Sequence, residues 1–167
     1  MASARALEGL STLYFPHLEA YGYRVTSNRT SRYNCIAWAA GDNKNWWWPD
    51  REREVYWPTE PRKATRSAFI KAFRTLGYEV CSSGRPEHGF EKIALFFDGD
   101  EPRHAARQLA NGTWTSKLGP DEDIAHVDLE ALEGPGYGRI GCFMRRPWKP
   151  HARRPTARGR RSRRSRF

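Results

Sequence analysis

KIALFFDGDEPRHAARQLANGTWTSKLG, running from Lys92 to Gly119, decides the fold. Lys92 to Phe97 is an apolar run of strand length, and Asp98-Gly99-Asp100 after it has the composition of a turn. Asn111-Gly112 then separates His104–Leu109 from Thr113–Leu118, and both residues tolerate the positive φ that tight hairpins require. The spacing predicts an antiparallel β region. Alternation sets His104, Ala106 and Gln108 on one face, with Ala105, Arg107 and Leu109 on the other.

Upstream, Tyr33 or Asn34 leads into a helix through Ala40, with Gly41 as its stop. Ala64, Ala68, Phe69, Ala72, Phe73 and Leu76 fall on one face of a second helix that Gly77 ends. Leu7, Leu10, Leu13 and Tyr14 have helical spacing before Pro16, and YEVCSS reads as a strand. Downstream, DEDIAHVDLEALEG reads as a short helix capped by acidic residues, and GYGRIGCFM as a final strand. No internal repeat is visible. The expected class is α+β: one domain over residues 1–144, a small antiparallel sheet packed on the cysteine-bearing helix.

A length of 167 residues suits one domain that buries a core without disulfide staples. The three cysteines, Cys35, Cys81 and Cys142, are odd in number and far apart, which points to a reducing, cytoplasmic setting. No segment has the roughly 20 apolar residues of a membrane span, and MASARALEGLSTLYF makes a poor secretion signal. With no C-x-x-C pair and no paired histidine spacing, neither a metal nor another cofactor is expected.

The net charge of +10 is uneven. Eleven of the 29 basic residues lie between Arg145 and Phe167, where there is no acid; the other 18 face all 19 acidic residues. Residues 145–167 therefore read as a disordered basic tail. Its arginines, Arg153, Arg154, Arg158, Arg160, Arg161, Arg163, Arg164 and Arg166, suit a polyanion such as nucleic acid, bound without sequence readout.

Chemistry centres on YNCIAWA, Tyr33 to Ala39. A cysteine at a helix start meets unpaired N–H groups that favour a thiolate and can hold an acyl oxyanion. The bland alternative is a small apolar residue in a buried helix. A nucleophilic thiol needs a base, and His104 opens a strand 69 residues later.

YNCIAWA, KIALFF, HAARQL and TWTSKLG together resemble the NlpC-type branch of the papain-like cysteine peptidases, and a related bacterial domain of uncharacterised function. The resemblance implies a papain-like fold, Cys35 as nucleophile and His104 as general base and acid. Its hairpin position for the third, orienting residue falls on Ser116; Asp123, a carboxylate just beyond, is chemically the better orienter and is slightly preferred. Ile36 and Ala37 stand where that branch usually has serine and glycine, a departure that bears on the peptidoglycan substrate class. Asn34 and Tyr33 are candidates for the oxyanion site. Trp46, Trp47 and Trp48, held extended by Pro49, and Trp57 are candidate walls of a substrate cleft, or an aromatic plug bracing a loop.

The leading expectation is a thiol hydrolase that cleaves or deamidates an amide, isopeptide or ester in a peptide-like substrate. The rival is a non-enzymatic, nucleic-acid-associated or structural protein with an arginine-rich tail. Oligomeric state stays open. If the tail binds polyanions, deleting residues 145–167 abolishes salt-sensitive retention of generic DNA or RNA in a binding assay; unchanged binding puts the contact in the folded body.

Overall fold

In the computed structural model, which describes residues 11–149, β3 (Phe90–Asp98) is buried at every position from Glu91 to Phe97. A strand buried on both faces needs cover on both sides. Ile93, Leu95 and Phe97 join one apolar cluster, and Ala94 and Phe96 join another. The first cluster is roofed by α3 (Cys35–Ala40) and α4 (Arg66–Arg74), the second by α2 (Leu18–Tyr21) and a 3-10 turn at Leu129–Leu132.

Around β3 lies a single antiparallel sheet of seven strands among the described residues. Its strands are β1 (Tyr23–Val25), β2 (Glu79–Cys81), β3, β4 (Glu101–Gln108), β5 (Trp114–Lys117), β6 (Asp123–His126) and β7 (Arg139–Pro147). Their order is β1-β6-β5-β4-β3-β7-β2. The β4–β5 hairpin closes with Leu109 N–H donating to Thr113 O at 2.7 Å and Gly112 N–H to Leu109 O at 2.9 Å.

Both principal helices start and stop where local chemistry dictates. Asn34 caps α3 by accepting from Ala37 N–H, and Gly41 ends it in the left-handed region at φ 85°, which suits a residue without Cβ. Thr65 caps α4 in the same way through Ala68 N–H. α4 buries Ala68, Phe69, Ala72 and Phe73, the stripe that the sequence spacing predicts. Each buried phenylalanine contributes roughly 1.5–3 kcal/mol relative to leaving it in water.

The papain-like expectation is overturned. The body of the molecule is the seven-stranded sheet, and the helices around it are short, α3 only six residues and α4 nine. Part of the error lies in DEDIAH. Asp123–His126 is a strand, paired with β5 on one side and β1 on the other, because Ile124 and His126 face one layer while Asp123 faces the opposite one. Only Leu129–Leu132 turns helically there. Of the N-terminal stripe, α1 (Ser11–Tyr14) is described, with Leu13 and Tyr14 exposed; Leu7 and Leu10 lie outside the described residues.

The boundary at residue 144 cuts through β7, which continues to Pro147. Lys92 pairs with Arg145, Glu91 with Arg146 and Phe90 with Pro147. Arg146 bonds Glu91 at 3.0 Å and the Leu76 carbonyl at 3.1 Å, and Arg145 pairs with Glu87. Arg153, Arg154, Arg158, Arg160, Arg161, Arg163, Arg164 and Arg166 lie outside the described residues. A chain ending at Met144 is expected to be less stable by at least about 3 kcal/mol than one ending at Lys149, since it leaves buried Glu91 without its cation. Urea unfolding of the two truncations measures this, and equal stability contradicts it.

Candidate functional site

β4 and β5 are hydrogen-bonded only near their hairpin, at Arg107↔Thr115 and Gln108↔Trp114. Continued in register, Ala106 would meet Ser116 and Ala105 would meet Lys117, but the ladder stops short. Leu109 N–H points toward β5, and backbone groups alternate along a strand, so Ala105 N–H points the same way, into the opening. The Cys35 sulfur lies against that N–H. α3 is held over the gap by Trp38 Nε1 donating to Thr115 Oγ1 at 3.0 Å and by Arg107 reaching the Trp38 carbonyl at 3.3 Å.

Burial pushes the Cys35 thiol up to about 11. The N–H groups of Ala105, Ile36 and Cys35 itself, then the Lys117 ammonium, act against burial without cancelling it. Near neutral pH the sulfur is therefore a protonated thiol. The helix start alone does not make a thiolate here.

On the other face of the sheet, three side chains form a buried relay. His104 Nε2 lies 3.0 Å from Ser116 Oγ, and Ser116 Oγ lies 2.9 Å from His126 Nε2. His126 Nδ1 is 3.0 Å from the Asp128 carbonyl. A carbonyl only accepts, so His126 carries its proton on Nδ1 and presents a bare Nε2. Ser116 then donates to His126 and accepts from His104 Nε2–H. One nitrogen remains: His104 Nδ1, unprotonated, buried and without a hydrogen-bond partner. Burial holds His104 well below the usual imidazole range, with the neighbouring His126 adding to it. Burial also lowers His126, against the Asp128 carbonyl and charge.

Cys35 and the His104 ring belong to different layers. The thiol sits in the α3/α4 cluster with Ala105, whereas the His104 ring packs on Phe96 at 5.2 Å, and no hydrogen bond joins the two. They nevertheless share a neighbour. Tyr137 stacks on the His104 ring at 4.0 Å with the planes 6° apart. Burial raises the Tyr137 hydroxyl well above its usual range, and the next contribution is the charge of Cys35. Tyr137 rides on a tight hairpin closed by reciprocal Gly134 and Gly138 hydrogen bonds. At Gly138 (φ 71°) a Cβ would lie 2.2 Å from the Phe97 carbonyl oxygen, so the hairpin packs this closely only with glycine.

Ser116, and not the preferred Asp123, is the residue bonded to His104. Asp123 lies on the α3 face and accepts from Tyr33 Oη at 2.6 Å. Burial first, and then that carboxylate, push the Tyr33 phenol up to about 12. Asn34 is spent on architecture: its amide donates to the Trp47 carbonyl at 2.7 Å, and its oxygen accepts from Ala37 and Trp47.

The tryptophans are packing. Trp47 and Trp57 are buried in the Cys35 cluster, Trp48 and Trp57 lie on Phe69 at 5.5 and 4.8 Å, and Trp47 donates to Asp42 at 2.9 Å. Trp46 contributes its carbonyl to Tyr56 N–H. The plug reading describes them, because consecutive side chains divide between the core and the loop that crosses it. Cys81 and Cys142 are half-buried on β2 and β7, and all three cysteines are free.

Sequence reasoning placed His126 on a helix and gave Lys117 no role. Lys117 is wholly buried beside Asp123. Its signal was the alternation of Thr-Ser-Lys-Leu in a strand, which turns the lysine inward with Thr115. Among the described residues, no group of three or more His, Cys, Asp or Glu is arranged to hold a metal ion.

The relay has a pH signature. Above about 6.5, the unfolded-state value, His104 and His126 are neutral in both states and contribute no pH dependence. Below it the unfolded chain takes up protons that the folded chain refuses, so stability falls with pH by up to about 1.4 kcal/mol per unit for each histidine. The depressed carboxylates Asp42, Asp50, Glu60 and Glu87 act only at lower pH. Urea unfolding is expected to show a loss of stability between about pH 6.5 and 5. A flat profile in that window contradicts the buried neutral relay.

Over residues 24–145 the chain matches a family model described as Domain of unknown function (DUF7689). No curated protein and no solved structure matches it. The matched region contains Cys35, His104, Ser116, Lys117, Asp123, His126 and Tyr137, and spans most of the chain. The chain belongs to the DUF7689 family.

Proposed function

We propose that the protein is a thiol hydrolase or acyl transferase acting on an amide, isopeptide or ester carbonyl, with Cys35 as nucleophile and His104 Nδ1 as its base. The observation that carries the reading is the proton order of the relay, which leaves one bare, buried imidazole nitrogen on a ring stacked against Tyr137. A reducing, cytoplasmic setting belongs to the reading, since its thiol must stay free.

Both groups are neutral at rest, so the nucleophile forms during attack. As the sulfur bonds to the carbonyl carbon, its proton passes to His104 Nδ1, a transfer that requires the two groups, held in different layers at rest, to be brought together when substrate binds. The resulting imidazolium is held through Nε2–H by Ser116, which His126 fixes in turn. The proton then goes to the leaving nitrogen or oxygen as its bond to carbon breaks. Water attacks the thioester, gives a proton to His104, and the sulfur leaves and regains its proton. Backbone N–H groups of Ile36 and Ala105 stand at the sulfur, the place where oxyanion donors are useful. Tyr137 covers the imidazole at rest, and its glycine-bounded hairpin is the part that must yield to a substrate.

One observation favours a second reading. The thiol is buried, its pKa is raised, and it makes no bond to His104, as in a non-catalytic protein that keeps the relay as a polar core. A nucleic-acid or other polyanion role for the basic tail is compatible with either reading.

Incubation with p-nitrophenyl acetate followed by mass spectrometry separates the two. An acetyl adduct is expected on Cys35 ahead of Cys81 and Cys142, with its formation slowed at least about 100-fold in His104→Ala. Equal, slow acetylation of all three cysteines supports the non-catalytic reading.

A further inference from the structure

Lysine is seldom wholly buried, because its ammonium loses hydration worth several kcal/mol unless a partner replaces it. Lys117 has no exposed side-chain surface. Its ammonium donates to the Asp121 carbonyl and lies 5.1 Å from the Tyr33 ring centroid. Its nearest carboxylate oxygen, Asp123 Oδ1, is 4.0 Å away, beyond hydrogen-bond reach, and that buried oxygen has no hydrogen-bond partner. Asp123 instead spends Oδ2 on the Tyr33 hydroxyl. The cation and the carboxylate share a site without closing on each other.

Packing alone does not call for this arrangement. A methionine of similar length would fill the space without an ionic desolvation cost. The position supplies a different reason. Lys117 lies two residues beyond Thr115 on the same strand face, the face on which Thr115 bonds Trp38 of α3, and its ammonium sits over Tyr33, two residues before Cys35. It borders the opening in which the thiol lies.

We propose that Lys117 is the buried cation that stabilises negative charge on the Cys35 sulfur, with Asp123 and Tyr33 positioning its ammonium. This role rests on Cys35 being the nucleophile. As the thiol proton leaves, the sulfur becomes an anion facing an ammonium that Asp123 only partly neutralises, in surroundings where charges interact more strongly than in water. Asp123 opposes the effect from the same site, so removing either charge shifts the thiol in opposite directions.

The test is the rate of iodoacetamide alkylation at Cys35 in the full-length chain, followed by peptide mass spectrometry at fixed pH values between about 7 and 9. Lys117→Met, checked for folding by circular dichroism, is expected to slow labelling about tenfold at each pH. Asp123→Asn, which keeps an acceptor for Tyr33, is expected to speed it. A Lys117→Met profile that superimposes on the parent overturns the role of Lys117. Should that variant fail to fold, Asp123→Asn decides, and an unchanged or slower rate overturns it. Absence of Cys35-selective acetylation by p-nitrophenyl acetate in the parent defeats the nucleophile itself; selective acetylation together with alkylation that does not respond to Lys117→Met removes Lys117 alone.

Discussion

The incomplete ladder between β4 and β5 is the feature on which the rest of the site depends. Two residue pairs hold the strands together beside the hairpin, and beyond them the strands diverge. An antiparallel pair that continued would consume the Ala105 N–H and shut the sheet. Because it stops, a donor is left for the Cys35 sulfur and α3 docks across the gap. Ser116 and Lys117, adjacent in sequence, serve opposite faces of the sheet: the hydroxyl completes the imidazole relay and the ammonium borders the thiol.

The relay explains how a neutral dry interior holds two histidines. Each ring nitrogen but one has a partner, and the partners impose a direction that starts at the Asp128 carbonyl. Leaving a buried acceptor unsatisfied costs about 1–3 kcal/mol, so the bare His104 nitrogen is a stored expense in the resting fold. A proton donor arriving at that nitrogen recovers it. Tyr137 lies over the ring at rest, stacked at 4.0 Å.

Local signals in the sequence were sufficient for α3, α4 and the β4–β5 hairpin, since capping residues, Gly41 and Asn111-Gly112 act over a few neighbours. Cys35, His104 and Ser116 were visible as candidates for the same reason. What sequence alone missed was decided at long range. Asp121-Glu122-Asp123 looks like a helix cap, yet pairing with β1 and β5 makes Asp123–His126 a strand. That change moves Asp123 to the thiol face and His126 to the relay. Arg145 and Arg146 look like the start of a basic tail, but partners distant in sequence, Glu87 and Glu91, fold them into β7. The tryptophan run gave no clue to its own partition, which depends on Phe69 and Asp42.

The proton order of the relay can be read directly by long-range ¹H–¹⁵N NMR on uniformly labelled protein at neutral pH. His126 is predicted to be the Nδ1–H tautomer and His104 the Nε2–H tautomer, with His104 Nδ1 at the shift of a bare imidazole nitrogen. A proton on His104 Nδ1, or a doubly protonated ring, would leave Cys35 without a base and contradict the proposed chemistry.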